Sequence, residues 1–314
     1  MDLSNIRDQK SVAASFVRGT YVLELDHLNN RQGEAALAHP WSESFGFELS
    51  KPLVDDHGDI FGAVYRRKQH RHRHQPSCVV AFRGTNTKDI PGFVTDSILN
   101  FRIWSYTLEE TGRFQKALEA VLDAVNDLGV DNVWIAGHSQ GAATALLVGK
   151  SMARMHGRGV GVPYPLKAFL FNPPFIGSTN RVWRLLVAML AVGMGRDNDQ
   201  SAFAASSCWH PHLFVHPKDS LCRRYIDYFD QRRMHTAQYT ARGVLLRAEP
   251  THLIPSAVLV VNHTPAPRPK WKHAVTYKKE AHGIYQWWSS HIQLKAHQYT
   301  FHLNPPFSTQ EVAI

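Results

Sequence analysis

Ser139 sits at the centre of Gly137-His138-Ser139-Gln140-Gly141, a G-x-S-x-G pattern, and what flanks it makes the serine a candidate nucleophile. A hydroxyl reacts poorly unless it is held clear of the backbone and given a base. A sharp strand-to-helix turn does the first job, and glycines two before and two after keep neighbouring side chains out of the bend. The apolar run Val133-Trp134-Ile135-Ala136 predicts the strand, and Gly141-Ala142-Ala143 opens a stretch of helix-favouring residues. Without that context the pattern would mark only a tight turn. A helix starting at Gln140 leaves N–H groups free and a positive dipole end beside Ser139, so the Gln140 N–H is a candidate oxyanion donor.

A second segment, Val79-Val80-Ala81-Phe82-Arg83-Gly84-Thr85, is a buried-type strand ending in a polar turn. It resembles the F-R-G-[S/T] segment of the class 3 (fungal triacylglycerol-type) lipases, members of the α/β-hydrolase superfamily. That resemblance implies that Thr85 supplies the second oxyanion donor. Arg83 is expected to serve structure, as an ion-pair or hydrogen-bond partner, with Asp96 a candidate counter-charge.

A serine nucleophile needs a base, and the base an orienting carboxylate, in the chain order Ser, Asp or Glu, His in α/β-hydrolases. His212-Leu213-Phe214-Val215 is a β run that turns at His216-Pro217-Lys218-Asp219, placing Asp219 just past a strand end. Asp227 and Asp230 are its rivals. For the base the choice is His282, in Ala281-His282-Gly283-Ile284-Tyr285, where the glycine frees the loop and aromatics can wall the site. An aromatic three residues after this histidine is another point of likeness to the class 3 lipases. His273 and His297 remain alternatives.

Together with Phe169 to Phe175, these segments resemble the plant lipase-like branch often labelled GDSL esterase/lipase, although no G-D-S-L sequence occurs in the chain. Class 3 lipases commonly carry Leu after the serine, where this chain has Gln140, which makes the acyl pocket more polar. The resemblance implies an α/β-hydrolase fold and a serine carboxylic-ester hydrolase acting on a lipid or other apolar acyl ester. No cofactor and no metal enter such a mechanism. The same residues would serve an acyltransferase or thioesterase. A lipase-like protein that binds or signals without turnover is the other alternative.

The elements that must position these residues alternate strand and helix, which argues an α/β fold with a mostly parallel central sheet covered on both faces. Apolar residues from Val12 to Leu25 recur at three and four, predicting a structural helix over about residues 8–25. Residues 60–65 and 77–82 read as neighbouring strands. Residues 113–128 read as a helix stopped by Gly129, and Ala257 to Asn262 as the last clear strand. Asp89 to Asn100 is expected to begin a further helix. Residues 182–194 are continuously apolar but too short to span a bilayer, so they are a core helix or a lid. One domain over 1–314 is expected, with a helical extension at 1–58, a lid or cap insertion at 178–210 and a tail at 289–314.

The charge of +9 concentrates in residues 66–74, read as a solvated loop with peripheral contact to anionic membrane lipid as its best functional use. Nucleic-acid binding is not expected, and neither is metal capture by His70, His72 and His74, because no supporting motif accompanies the run. Neither a secretory signal nor a membrane-spanning run is visible. Three cysteines are too few for a disulfide framework, so a cytoplasmic location is expected.

Overall fold

In the computed structural model of the chain, the described residues are 3, 5–38, 41–68, 75–85, 112–157, 165–175, 204, 206–239, 254–264, 280–289, 291–302 and 307–314. The sequence alternation of side chains explains the architecture. In β3 (Cys78–Phe82), β4 (Val133–His138), β5 (Lys167–Phe171), β6 (His212–Val215) and β7 (Ala257–Asn262), successive residues point to opposite faces, and both faces are apolar. Val80, Ile135, Leu170, Leu213 and Leu259 join one core. Val79, Trp134, Phe169, Phe214 and Val258 join the other.

These five strands pair in parallel and in sequence order within a nine-stranded sheet. Right-handed crossovers between strands laid down in one direction put their helices on one face. The first core accordingly contains residues of α2 (Gly112–Leu128), α3 (Gln140–Gly157) and α4 (Arg224–Tyr239). The second face needs a cover from elsewhere, and α1 (Ile6–Leu28) supplies it through Val12, Ala13, Phe16 and Val17, all at most 2% exposed. Its start is fixed by Asn5, whose Oδ1 accepts the Asp8 N–H at 2.8 Å. Below it the Phe16 ring meets Phe47 at 4.9 Å, Tyr65 at 5.0 Å and Trp41 at 5.4 Å.

Two expectations about the ends of the chain are corrected. Residues 1–58 are not only a helical extension: β1 (Phe47–Val54) pairs antiparallel with β2 (Ile60–Arg67) at the sheet's edge, where Pro52 is tolerated. β2 in turn pairs antiparallel with β3, as neighbouring strands should. Residues 289–314 are not a tail, for β8 (Leu294–Phe301) and β9 (Phe307–Val312) extend the sheet beyond β7. Only Ala296 and Tyr299 of β8 are buried, so its mixed polar sequence carries no strand signal of the kind seen at 257–262. The segment 182–194, the start of a helix at 89–100, Asp96, His273 and the histidine run 70–74 lie outside the described residues.

Candidate active site

Ser139 occupies the bend between β4 and α3 at φ 53°, a left-handed conformation unusual for a non-glycine residue. Its N–H donates to Phe171 O at 2.9 Å, tying the bend to β5. A Cβ on Gly137 would run into the backbone of Gly141, and a Cβ on Gly141 into the carbonyl of Phe82. The two motif glycines are therefore required by backbone meeting backbone, not by the turn angles alone.

The structure brings Ser139, His282 and Asp219 together. His282 Nε2 lies 3.0 Å from Ser139 Oγ, and its Nδ1 lies 2.8 Å from Asp219 Oδ2. With the carboxylate ionised, Nδ1 carries the proton and Nε2 faces the serine hydroxyl as an acceptor. Burial alone would raise the Asp219 pKa. The His282 imidazole and its hydrogen bond, the Leu221 N–H and the Asn172 amide together hold it down at about 2. Oδ2 accepts from Asn172 Nδ2 at 2.7 Å and from the Cys222 thiol at 3.2 Å, while Oδ1 accepts the Leu221 N–H at 3.0 Å. The rivals sit elsewhere. Asp227 and Asp230 belong to α4, where Asp230 accepts from the Tyr299 hydroxyl, and His297 lies in mid-β8 opposite Leu259.

Asn172 ties the Asp219 loop to the segment that carries His282. It follows β5 at φ 48°, is fully buried, and its N–H extends the ladder to Phe214 O at 2.8 Å. Besides Asp219, its Nδ2 donates to Ala281 O at 3.1 Å, and its Oδ1 accepts from Trp287 Nε1 at 2.7 Å. Trp287 is itself wholly buried in the 3-10 turn Ile284–Trp288 that follows the base. Beside it Tyr285 and Trp288 meet edge to face at 5.1 Å and stay exposed.

The other side of the site is held by charge. Arg83 pairs with Glu24 of α1 at 2.7 Å, both side chains being at most 6% exposed, and Arg83 also donates to Ile60 O at 2.5 Å and Gly84 O at 2.9 Å. Glu24 completes the knot by accepting the Ile60 N–H at 2.7 Å. Arg83 is thus structural, as expected, but its partner is Glu24. Because a peptide unit is planar and trans, fixing the Gly84 carbonyl fixes the direction of the Thr85 N–H on its far side. The Thr85 hydroxyl donates to Gln140 Oε1 at 2.7 Å, so the two expected oxyanion residues stand side by side at Ser139.

Helix α1 was expected to be structural only, yet it delivers Glu24 and Tyr21 to this side of the site. Tyr21, Glu24, His138 and Asn172 are the residues that motif spacing does not mark. A carboxylate three residues from a tyrosine, beside a helix's apolar stripe, was the one available signal for the α1 pair. Among the described residues there is no cluster of metal ligands.

A parallel sheet, a serine at a left-handed strand-to-helix bend and a base and acid from later loops define an α/β-hydrolase. The class 3 lipase family profile matches residues 79–186. A GDSL esterase/lipase of Arabidopsis thaliana is 34% identical in an alignment of 347 residues, which covers 95% of this chain and 94% of the relative. The chain belongs to the lipase-like α/β-hydrolases, a family of carboxylic-ester hydrolases. Among solved structures, a mutant of the Penicillium cyclopium protein MDLA is similar at 19% identity, covering 69% of this chain and 73% of its own, with TM-score 0.39. An esterase of the archaeon Pyrobaculum calidifontis is similar at 15% identity, covering 90% and 95%, with TM-score 0.31. Both likenesses are distant.

Proposed function

We propose that this ester hydrolase works by two-step acyl transfer from Ser139. The observation that carries the reading is the bridging imidazole, with Nε2 3.0 Å from the serine oxygen and Nδ1 2.8 Å from the acid. His282 takes the Ser139 proton as Oγ attacks the ester carbonyl, and Asp219 holds the tautomer and stabilises the imidazolium. The oxyanion rests on the N–H groups of Gln140 and Thr85. His282 then protonates the leaving alcohol, and water, activated by the same base, releases the acid and restores the serine.

The substrate we propose is a lipid or other apolar acyl ester. The exposed aromatic pair Tyr285 and Trp288, on the turn that follows His282, supports this, while the Gln140 side chain adds a polar group next to Ser139. Among the described residues no helix is long and apolar enough to cross a membrane. The basic run at 66–74 would bring the protein to anionic lipid, and the three free cysteines suit a cytoplasmic setting. The test is hydrolysis of p-nitrophenyl esters from acetate to palmitate. Turnover that rises with chain length and disappears in Ser139→Ala supports the reading. A folded protein that hydrolyses none of them overturns it.

A further inference from the structure

Four groups that motif spacing did not connect form one line of hydrogen bonds behind the nucleophile. The Gly84 N–H donates to the Tyr21 oxygen at 2.7 Å, Tyr21 Oη lies 2.8 Å from His138 Nδ1, and His138 Nε2 lies 2.6 Å from the carbonyl oxygen of His282. A carbonyl can only accept, so Nε2 carries the ring proton. His138 is enclosed, and burial, with His282 beside it, pushes its pKa down to about 3. The titratable groups facing it are Tyr21 from α1 and His282 and Asp219 from the base and acid loops. A neutral ring with Nε2–H has a bare Nδ1, which must accept from Tyr21. The single phenolic proton is thereby used, and the oxygen's lone pair is left for Gly84. Burial raises the Tyr21 pKa, so the phenol keeps that proton. The chain of donors can run in one direction only.

Its two ends are the two arms of the proposed chemistry. Gly84 directly precedes Thr85, and a Cβ at Gly84 would sit 2.6 Å from the Tyr21 oxygen and 3.0 Å from Ser139 Cβ. Glycine is the residue that lets the phenol reach the backbone here. With Tyr21 on its N–H and Arg83 on its carbonyl, Gly84 is held at both polar groups, and so is the plane that aims the Thr85 N–H. At the other end, the His282 carbonyl belongs to the base itself, whose ring is 5.0 Å from that of His138.

We propose that Tyr21 and His138 are positioning residues that couple the oxyanion arm to the base loop, holding the Thr85 N–H and the His282 ring in register with Ser139 through one hydrogen-bonded chain. Neither touches the reacting atoms. The inference rests on the ester-hydrolase reading, and the experiment separates the two.

Wild type, Tyr21→Phe, His138→Leu, His138→Gln and the Tyr21→Phe/His138→Leu double variant are assayed on a p-nitrophenyl ester, each rate being divided by the sites titrated with a fluorophosphonate. This normalisation removes molecules that fail to fold. The expected result is a kcat per site lower by roughly 10–100-fold in Tyr21→Phe and His138→Leu, with KM changed less than about threefold. His138→Gln, whose amide can still donate to the His282 carbonyl, recovers much of the loss. The double variant falls no further than the worse single variant, because the two residues act in one chain. Tyr65→Phe, which alters a buried phenol beneath the same helix but outside the chain, keeps its kcat per site.

Unchanged kcat per site in Tyr21→Phe and His138→Leu would assign them to stability alone and overturn the proposal, as would losses that multiply in the double variant. Should His138→Leu not fold, Tyr21→Phe and His138→Gln decide by the same criterion. A wild type that neither turns over ester nor titrates overturns the hydrolase reading and this inference with it. An active wild type with unaffected variants overturns this inference alone.

Discussion

The two arms that reach Ser139 are held by different means. On one side, Gly84 and Thr85 are fixed by a buried ion pair, Arg83 with Glu24, which comes from the first helix of the chain. On the other, Asp219 is joined to the segment around His282 by Asn172, a neutral amide that donates to Asp219 and Ala281 O and accepts from Trp287. The difference follows from what each arm must do. In the proposed mechanism the acid–base arm carries a charge that has to change its balance during turnover, because His282 gains and loses a proton. A second full charge beside Asp219 would distort that balance, whereas an amide solvates the carboxylate without competing for the proton. The oxyanion arm only has to hold still, and a buried Arg–carboxylate pair with its hydrogen bonds satisfied is a rigid way of doing so.

The comparison predicts that loss of the ion pair behind the first arm appears chiefly as lost stability, and loss of the orienting carboxylate in the second chiefly as lost rate. The largest effect is expected for Asp219→Asn, which keeps the shape but allows the wrong imidazole tautomer. Its kcat should fall about 10⁴-fold in steady-state ester hydrolysis, the scale of an orienting carboxylate in a serine triad. Next comes Glu24→Ala, which leaves Arg83 buried and uncompensated and should cost about 3–5 kcal/mol in urea unfolding. If Glu24→Ala instead left stability intact and slowed only turnover, the division between the arms would fail.

Acid should also act unequally. His138 ionises near 6.5 when unfolded but only at about 3 when folded, so the unfolded state binds its proton first and stability falls as pH drops from 6.5 toward 3. Buried His212, held at about 4, adds to the loss over the same range. Asp219 has the opposite charge but the same sign: depressed from 3.8 to about 2, it contributes stability above 3.8 that is lost as pH falls through 2. Urea titrations from pH 7 to 3 should therefore be flatter for His138→Gln than for wild type, and an unchanged slope would contradict a neutral His138.

Smaller effects sharpen the contrast. Asn172→Ala removes the shared amide and puts alanine at a positive φ, for an expected cost of about 2–3 kcal/mol in unfolding. Its kcat should drop roughly tenfold as the acid and base lose their common anchor. Thr85→Val should be mildest. Its backbone N–H survives and the site is exposed, so stability should change by less than about 0.5 kcal/mol. Loss of the hydroxyl bond to Gln140 should lower kcat by no more than about tenfold, and a hundredfold loss would give the hydroxyl itself an oxyanion role.

The residues of the proposed triad were legible because their spacing is dictated locally. Ser139 requires glycines at 137 and 141 wherever such a bend occurs, Asp219 follows the end of β6, and His282 comes after β7 in the chain order the family sets. The residues that hold them were not, because their partners are remote: Glu24 and Arg83 are 59 residues apart, Asn172 and Trp287 are 115. No period or motif links such pairs. The parallel centre of the sheet was readable for a related reason, since strands buried on both faces are almost wholly apolar. Its outer strands were not, because β1 and β8 bury few side chains and read as ordinary polar segments. Helix α1 was found from its periodicity, but its apolar stripe gave no sign that its next turn reaches the site.

The central claim is that Ser139 is an activated nucleophile, and covalent labelling tests it most directly. Purified protein is treated with a fluorophosphonate, digested and analysed by mass spectrometry, alongside Ser139→Ala and His282→Ala. Stoichiometric modification of the peptide bearing Ser139 in wild type, absent from Ser139→Ala and slowed at least a thousandfold in His282→Ala, is the predicted result. No adduct on folded wild type, or an adduct on a different serine, would contradict it.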